Sequence, residues 1–328
     1  MRRRDFLGVI ACSAASWPLA ARAQQPGKTY RVGLLATGGA IGGGDERRKA
    51  ILEVLAAHGF VEGRNLEFDA RWGDGRYERL AEYAEALKTS KVDVIVTFGY
   101  PAALAAKNSA KDVPIVVSGA GDPVATGLAE SLARPGGNLT GVTELATELS
   151  AKRLEILKEA FPKLRRVAVL FNAADHGMTL RYQAADAAAK VLGVSVQTLG
   201  VREPNDFEGA FAEMTRSRPD AILMVSDALT VLNRKRIIEF AAANRLPAIY
   251  EFAFLVRDGG LMSYGPNLSS TGAKVGDFVA RILLGARPAD LPLEQPTKFE
   301  LVINLKTAKT FGIELPPALV SRADEVIE

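Results

Sequence analysis

The sequence predicts an α/β protein of two doubly wound, parallel-sheet (Rossmann-like) lobes joined by a hinge. Three observations lead there. Short β-branched runs alternate with helical stripes from Tyr30 to Thr143, the order that builds a parallel sheet with helices on both faces. The alternation restarts at Ser150 and continues to Tyr250. The chain has 328 residues, 48% hydrophobic and 24% charged, which suits two ordinary globular cores.

Residues 1–23 read as an export signal and not as fold. Arg2-Arg3-Arg4 is a basic start, Phe6 to Leu19 is mostly apolar, and Ala21-Arg22-Ala23 is a small-x-small cleavage site. Arg3-Arg4-Asp5-Phe6-Leu7 matches the twin-arginine export pattern. Cys12, the chain's one cysteine, lies in this leader, so the remainder forms no internal disulfide. Without the leader, Lys+Arg falls from 41 to 37 and Asp+Glu from 38 to 37. The formal charge of +3 therefore belongs to the leader and gives no support for nucleic-acid binding. No later apolar run reaches the roughly 20 residues of a membrane span.

Taken in order, Tyr30 to Ala36 is the first strand. A glycine-rich loop, Thr37 to Gly44, follows, and Asp45 is a candidate N-cap for a helix with Ile51, Val54 and Leu55 inward. Asn65 to Arg71 is a strand, and Tyr77, Leu80, Ala84 and Leu87 mark a helix. Val92 to Phe98 is a strand, and Pro101 opens the next helix in its favoured first turn. Pro114 to Ser118 is a buried strand ending in Gly119-Ala120-Gly121-Asp122-Pro123. Val124 to Ala133 has helical spacing until Arg134 to Asn138 stops it, and Leu139 to Thr143 is extended.

The second half repeats the architecture without repeating the sequence. Helices are expected over Ser150–Phe161, Met178–Leu192, Asp206–Ser217 and Ala228–Asn244. Strands are expected at Arg166–Phe171, Val194–Leu199, Ala221–Val225 and Pro247–Tyr250. Leu261 to Tyr264 is a further strand, followed by a long helix striped by Val275, Phe278, Val279, Ile282 and Leu283 and closed by Gly285. Arg287 to Pro296 is extended, Phe299 to Ile303 is the last strand, and a short helix and tail complete the chain.

Catalytic signals are weak. The two histidines are His58, at a helix end, and His176, beside Asp175 as its one obvious partner, and a metal site needs three or four ligands. No G-x-S-x-G elbow is present, and the glycines from Gly38 to Gly44 fit neither G-x-G-x-x-G nor a phosphate loop. We therefore expect no catalytic residue, no metal and no cofactor. The ligand-binding candidates all follow predicted strands, where open α/β sheets bind ligands. They are Thr37 and Gly38, Gly99 and Tyr100, Asp122, Asn172 and Asp175, Ser226 and Asp227, and Glu251 and Phe252. Carboxylates, helix amides and aromatics together suit a zwitterion with an apolar side chain.

The run from Asp112 to Val142, DVPIVVSGAGDPVATGL…LARPGGNLTGV, is similar to the tryptophan/tyrosine-type substrate-binding proteins of bacterial ABC transporters. So are Ser150 to Pro162, the tail from Ile282 to Glu328, and the leader. Where that family has threonine-proline after the third strand, this chain has Tyr100-Pro101. The resemblance implies a type I-like periplasmic binding protein and no chemistry. Lobe 1 would be residues 28–145 plus 266–294, and lobe 2 residues 146–265 plus 295–328, with the ligand cleft between them. The chain would cross near Thr143–Leu145, Tyr264–Pro266 and Glu294–Thr297, and such strands make a hinge. A monomer in the periplasm would capture a small solute and pass it to an ABC permease and its ATPase. The competing readings are a periplasmic sensor partner and a two-lobed α/β enzyme.

Overall fold

The computed structural model describes residues 28–39, 44–144 and 146–328. The leader with its arginine pair and Cys12, the glycines Gly42 and Gly43, Leu145 and the side chain of Asp45 lie outside the described residues.

The first lobe opens with β1 (Tyr30–Ala36), α1 (Gly44–Ala57), β2 (Leu66–Trp72), a 3-10 turn (Tyr77–Arg79) and α2 (Leu80–Thr89). It continues through β3 (Val94–Phe98), α3 (Tyr100–Ser109), β4 (Ile115–Ser118) and β5 (Leu139–Val142). The second lobe has α4 (Ala146–Ala160), β6 (Arg166–Asn172), α5 (His176–Val191), β7 (Ser195–Val201), α6 (Asp206–Ser217) and β8 (Ala221–Met224). It goes on with α7 (Ala228–Leu232), α8 (Arg234–Ala243), β9 (Ala248–Tyr250), α9 (Ala253–Arg257) and β10 (Met262–Pro266). After these come α10 (Leu268–Leu283), β11 (Leu293–Glu294), β12 (Phe299–Asn304), α11 (Leu305–Phe311), α12 (Pro317–Val320) and β13 (Glu325–Ile327).

One six-stranded sheet has the order β11-β5-β4-β3-β1-β2, and one seven-stranded sheet the order β13-β12-β10-β9-β8-β6-β7. All pairings among the described residues are parallel except β10 with β12. Val94, Ile95 and Val96 of β3 are fully buried, as a strand covered by helices on both faces must be. The chain leaves the first sheet after β5, returns after β10 with α10 packed on α1, and leaves again after β11. The crossings are tied together: the Thr143 amide donates to the Glu294 carbonyl (2.8 Å) and the Asn267 amide to the Lys298 carbonyl (3.0 Å).

Two expectations need correction. Val124 to Ala133 is a series of turns. The Asp122 carboxylate accepts the Val124 and Ala125 amides, Gly127 takes φ +73°, and Lys107 Nζ holds the Gly127 and Leu128 carbonyls. Those carbonyls are thereby taken from any helical ladder. The apolar spacing serves burial of Leu128 and Ala129. The expected Ala228–Asn244 helix is two helices, broken where Asn233 Nδ2 bonds back to the Leu229 carbonyl at 2.9 Å.

Candidate functional site

Each sheet reverses its strand order once. β1 lies between β2 and β3, and β6 lies between β7 and β8. The crevice beyond the carboxyl ends of strands at such a point is where open α/β sheets take ligands. Thr37 follows β1 and Gly99-Tyr100 follows β3; Asn172 ends β6, and Ser226-Asp227 follows β8. The two crevices face each other around a cavity of about 180 Å³, far more than one water needs.

Eight of the eleven sequence candidates line that cavity: Thr37, Gly38, Gly99, Tyr100, Asp175, Ser226, Asp227 and Phe252. The other three are elsewhere. Asn172 is fully buried beside it and donates to Asp227 Oδ2 at 2.6 Å. Glu251 is buried behind the wall in ion pairs. Asp122 does not line the cavity, and its Oδ1 accepts two turn amides at 3.0 Å. His58 faces Asp277 at 3.8 Å, and His176 is an exposed first residue of α5. Among the described residues no cluster of His, Cys, Asp and Glu is placed to hold a metal.

Sequence reasoning missed much of the wall. Trp72, Tyr77 and Phe98 join Tyr100 from the first lobe, and Phe252 and Phe254 face them as a stacked pair with centroids 5.7 Å apart. Arg47, Glu144 and Arg181 complete it. The hydroxyls of Thr37 and Ser226, each 4% exposed as residues, are buried without a hydrogen-bond partner among the described residues. One follows β1 in the first lobe and the other follows β8 in the second. Buried hydroxyls are rarely left unpaired, so both are suited to a ligand.

Several polar contacts among the described residues join the lobes, apart from those at the crossings themselves. Tyr77 Oη accepts from Asn172 Nδ2 (2.5 Å) and donates to Asp227 Oδ2 (3.1 Å). Burial, then Asp227 and Asp175, raise the phenol's pKa, so it stays a donor. Arg257 Nη1 meets Glu46 Oε1 at 2.7 Å, exposed and therefore weak. Arg181 of α5 joins Glu144, just past β5, to Glu251, just past β9 (3.0 Å). Arg153 of α4 adds an ion pair to Glu251 Oε1 (3.2 Å) and donates Nε to the Tyr264 carbonyl (2.7 Å). Burial opposes the Arg181 cation, but Glu251 and Glu144 outweigh it and raise its pKa; at Arg153 burial wins and the pKa falls.

Asp175 caps α5 by accepting the Gly177 and Met178 amides. Burial, then repulsion from Asp227, raises its pKa to about 6, against Arg181 and the two amides. A carboxyl raised from 3.8 to about 6 in the fold binds protons more readily there than in the unfolded chain. Its stabilising contribution is thus full below pH 4 and is lost as pH rises through 6, up to about 3 kcal/mol. Asp175→Asn keeps a good cap. In urea melts of the ligand-free protein it should remove part of the fall in stability between pH 4 and 7. Parallel pH profiles for parent and variant would reject this.

The description "ABC transporter substrate binding protein" belongs to the family whose model matches residues 42–327. A tyrosine-binding protein of Clostridioides difficile (strain R20291) is 26% identical over 270 residues, 82% of this chain and 77% of that protein. A conserved domain protein from Vibrio cholerae O1 biovar El Tor superposes with a TM-score of 0.86 at 26% identity, covering 91% of this chain and all of that one. An ABC domain from Streptococcus pneumonia in complex with L-Trp gives 0.84 at 25% identity, covering 92% and 100%. Family match and fold agree over nearly the whole described chain, which belongs to the ABC transporter substrate-binding proteins.

Proposed function

We propose that this protein captures an amino acid with an aromatic or other apolar side chain by lobe closure, and delivers it to an ABC permease and its ATPase. The observation that carries this is the cavity between the facing sheet crevices. It combines an aromatic wall, carboxylates, an arginine and two orphan hydroxyls. That is the complement of a small zwitterion with a flat apolar part. The relatives that bind tyrosine and L-Trp support the same class. Thr37, Gly38, Gly99 and Tyr100 would hold the ligand from the first lobe, and Asp175, Ser226 and Phe252 from the second. Asn172 and Asp227 serve closure: their own bond lies within the second lobe, so the socket for Tyr77 survives opening. The three crossings supply the hinge between residues 28–145 plus 266–294 and 146–265 plus 295–328. No bond is made or broken in this cycle.

Substrate-binding proteins of ABC transporters act outside the cytoplasm, and among the described residues no helix is long and apolar enough to cross a membrane. The leader's arginine pair supports twin-arginine export to the periplasm, where the protein would act as a monomer. The test is a thermal-shift series on residues 24–328 with L-tyrosine, L-tryptophan, the other amino acids, sugars and purines. A true ligand at about 100 times its Kd stabilises by about 2.7 kcal/mol. A shift confined to sugars or purines, or none with any amino acid, would sink the reading.

A further inference from the structure

The charged groups around the cavity are unequally partnered. Arg181 is held by Glu144 and Glu251. Arg48 pairs with Glu62 at 2.7 Å. Asp227 accepts from Tyr77, Asn172 and the Thr230 amide, and Asp175 accepts two amides. Arg47 differs. Among the described residues it makes no ion pair; its Nη1 donates to Ser118 Oγ at 3.3 Å, and its Nε is buried without a partner. Its guanidinium lies 5.6 Å from the centre of the Phe98 ring. Burial lowers its pKa against the more distant pull of Glu144 and Glu251. A half-buried cation with no ion-pair partner among the described residues is a liability to the folded chain alone.

The surroundings of Arg47 fit an anion. α1 is pressed onto α10 at Gly272 and Gly276, where a Cβ would overlap the Arg47 carbonyl and crowd Ile51, so the Arg47 backbone is closely packed. Thr37 Oγ1 lies 3.8 Å from where a Cβ on Gly99 would stand, at the open amino end of the ten-residue α3. Its hydroxyl and the first α3 amides are donors on the same lobe and the same cavity.

We propose that Arg47 receives the carboxylate of the bound solute, helped by Thr37 and the start of α3, and makes the site select free acids over their neutral amides. This rests on the amino-acid reading above and deepens it. A guanidinium offers a carboxylate two parallel N–H donors and gives an uncharged amide no comparable pairing. The first lobe thus holds the acid group, and the second lobe, with Asp175, closes on the ammonium.

The experiment is calorimetric titration of L-tyrosine and L-tyrosinamide into the parent, Arg47→Gln and Arg47→Met, with melts of each ligand-free protein. The parent should prefer the acid by about 30-fold or more, and both variants should bring that ratio within about threefold. Ligand-free Arg47→Met should melt no lower than the parent, since it removes an unpaired cation. An unchanged acid-to-amide ratio in the variants would overturn the proposal. So would a ligand-free Arg47→Met that melts several degrees lower, because Arg47 would then be structural. Failure of the parent to bind L-tyrosine or any other amino acid counts against the amino-acid reading itself, and is seen before any variant is made; where another amino acid binds better, that acid and its amide replace the tyrosine pair.

Discussion

Glu251→Ala is expected to destabilise the ligand-free protein by about 3–5 kcal/mol, the largest loss we foresee from any one side chain. Glu251 is 1% exposed and faces two arginines: it accepts from Arg181 Nη1 at 3.0 Å and forms an ion pair with Arg153 Nη2 at 3.2 Å. Arg153 is fully buried, and with Glu251 gone its one side-chain counter-ion among the described residues is lost. The cost lies less in the missing attraction than in the uncompensated cation that stays behind. Arg181 would keep Glu144, so the effect falls mainly on Arg153. Glu251→Leu combined with Arg153→Met should therefore lose much less than Glu251→Ala alone, because the orphaned charge goes with its partner. Urea unfolding of the three proteins decides it. A Glu251→Ala loss under about 1 kcal/mol, or a double variant as unstable as the single one, would mean that the network carries little.

That network also shows why the site was only partly legible. Strand-end loops are readable because β-branched runs stop at glycine or a capping residue, and eight of the loop residues singled out from sequence line the cavity. Helix residues that cross to another lobe are not readable in the same way. An arginine in a helix ordinarily belongs to a solvated face, and nothing local says that α5 turns Arg181 towards Glu144, 37 positions earlier. One signal was present. Arg181, Ala185 and Ala189 recur every four residues, and all three are buried. Arg153 shares a face with Leu157 in the same way. A charge on an apolar stripe should have been read as paired. Asp122 erred in the opposite direction: its place after β4 looked like a ligand position, but its carboxylate shapes the turn that follows. Tyr77 was assigned to a helix stripe, whereas its hydroxyl spans the cleft, a contact that depends on where the lobes meet.

Gly265→Ala should cost about 3 kcal/mol, at the upper end of overpacking changes. Gly265 lies in β10, opposite Glu300 of β12, just before the chain crosses back to the first lobe. A Cβ there would overlap the Glu251 carbonyl oxygen and stand 3.3 Å from Glu251 Cγ. The obstacle is backbone, so no rotamer change relieves it. β10 must shift, and with it the Tyr264 carbonyl that receives Arg153 Nε. Gly209→Ala provides the contrast. Gly209 sits inside α6 with nothing within 4 Å of its would-be Cβ. That substitution should stabilise by about 0.5–1 kcal/mol, since glycine costs that much in a helix interior. The same one-carbon change then has opposite signs at two positions, and the sign follows from whether the added methyl meets backbone or open space. Melts of both variants check the pair. If Gly265→Ala fell within about 0.5 kcal/mol of the parent, β10 would have room to move, and the close approach to the Glu251 carbonyl would not constrain it.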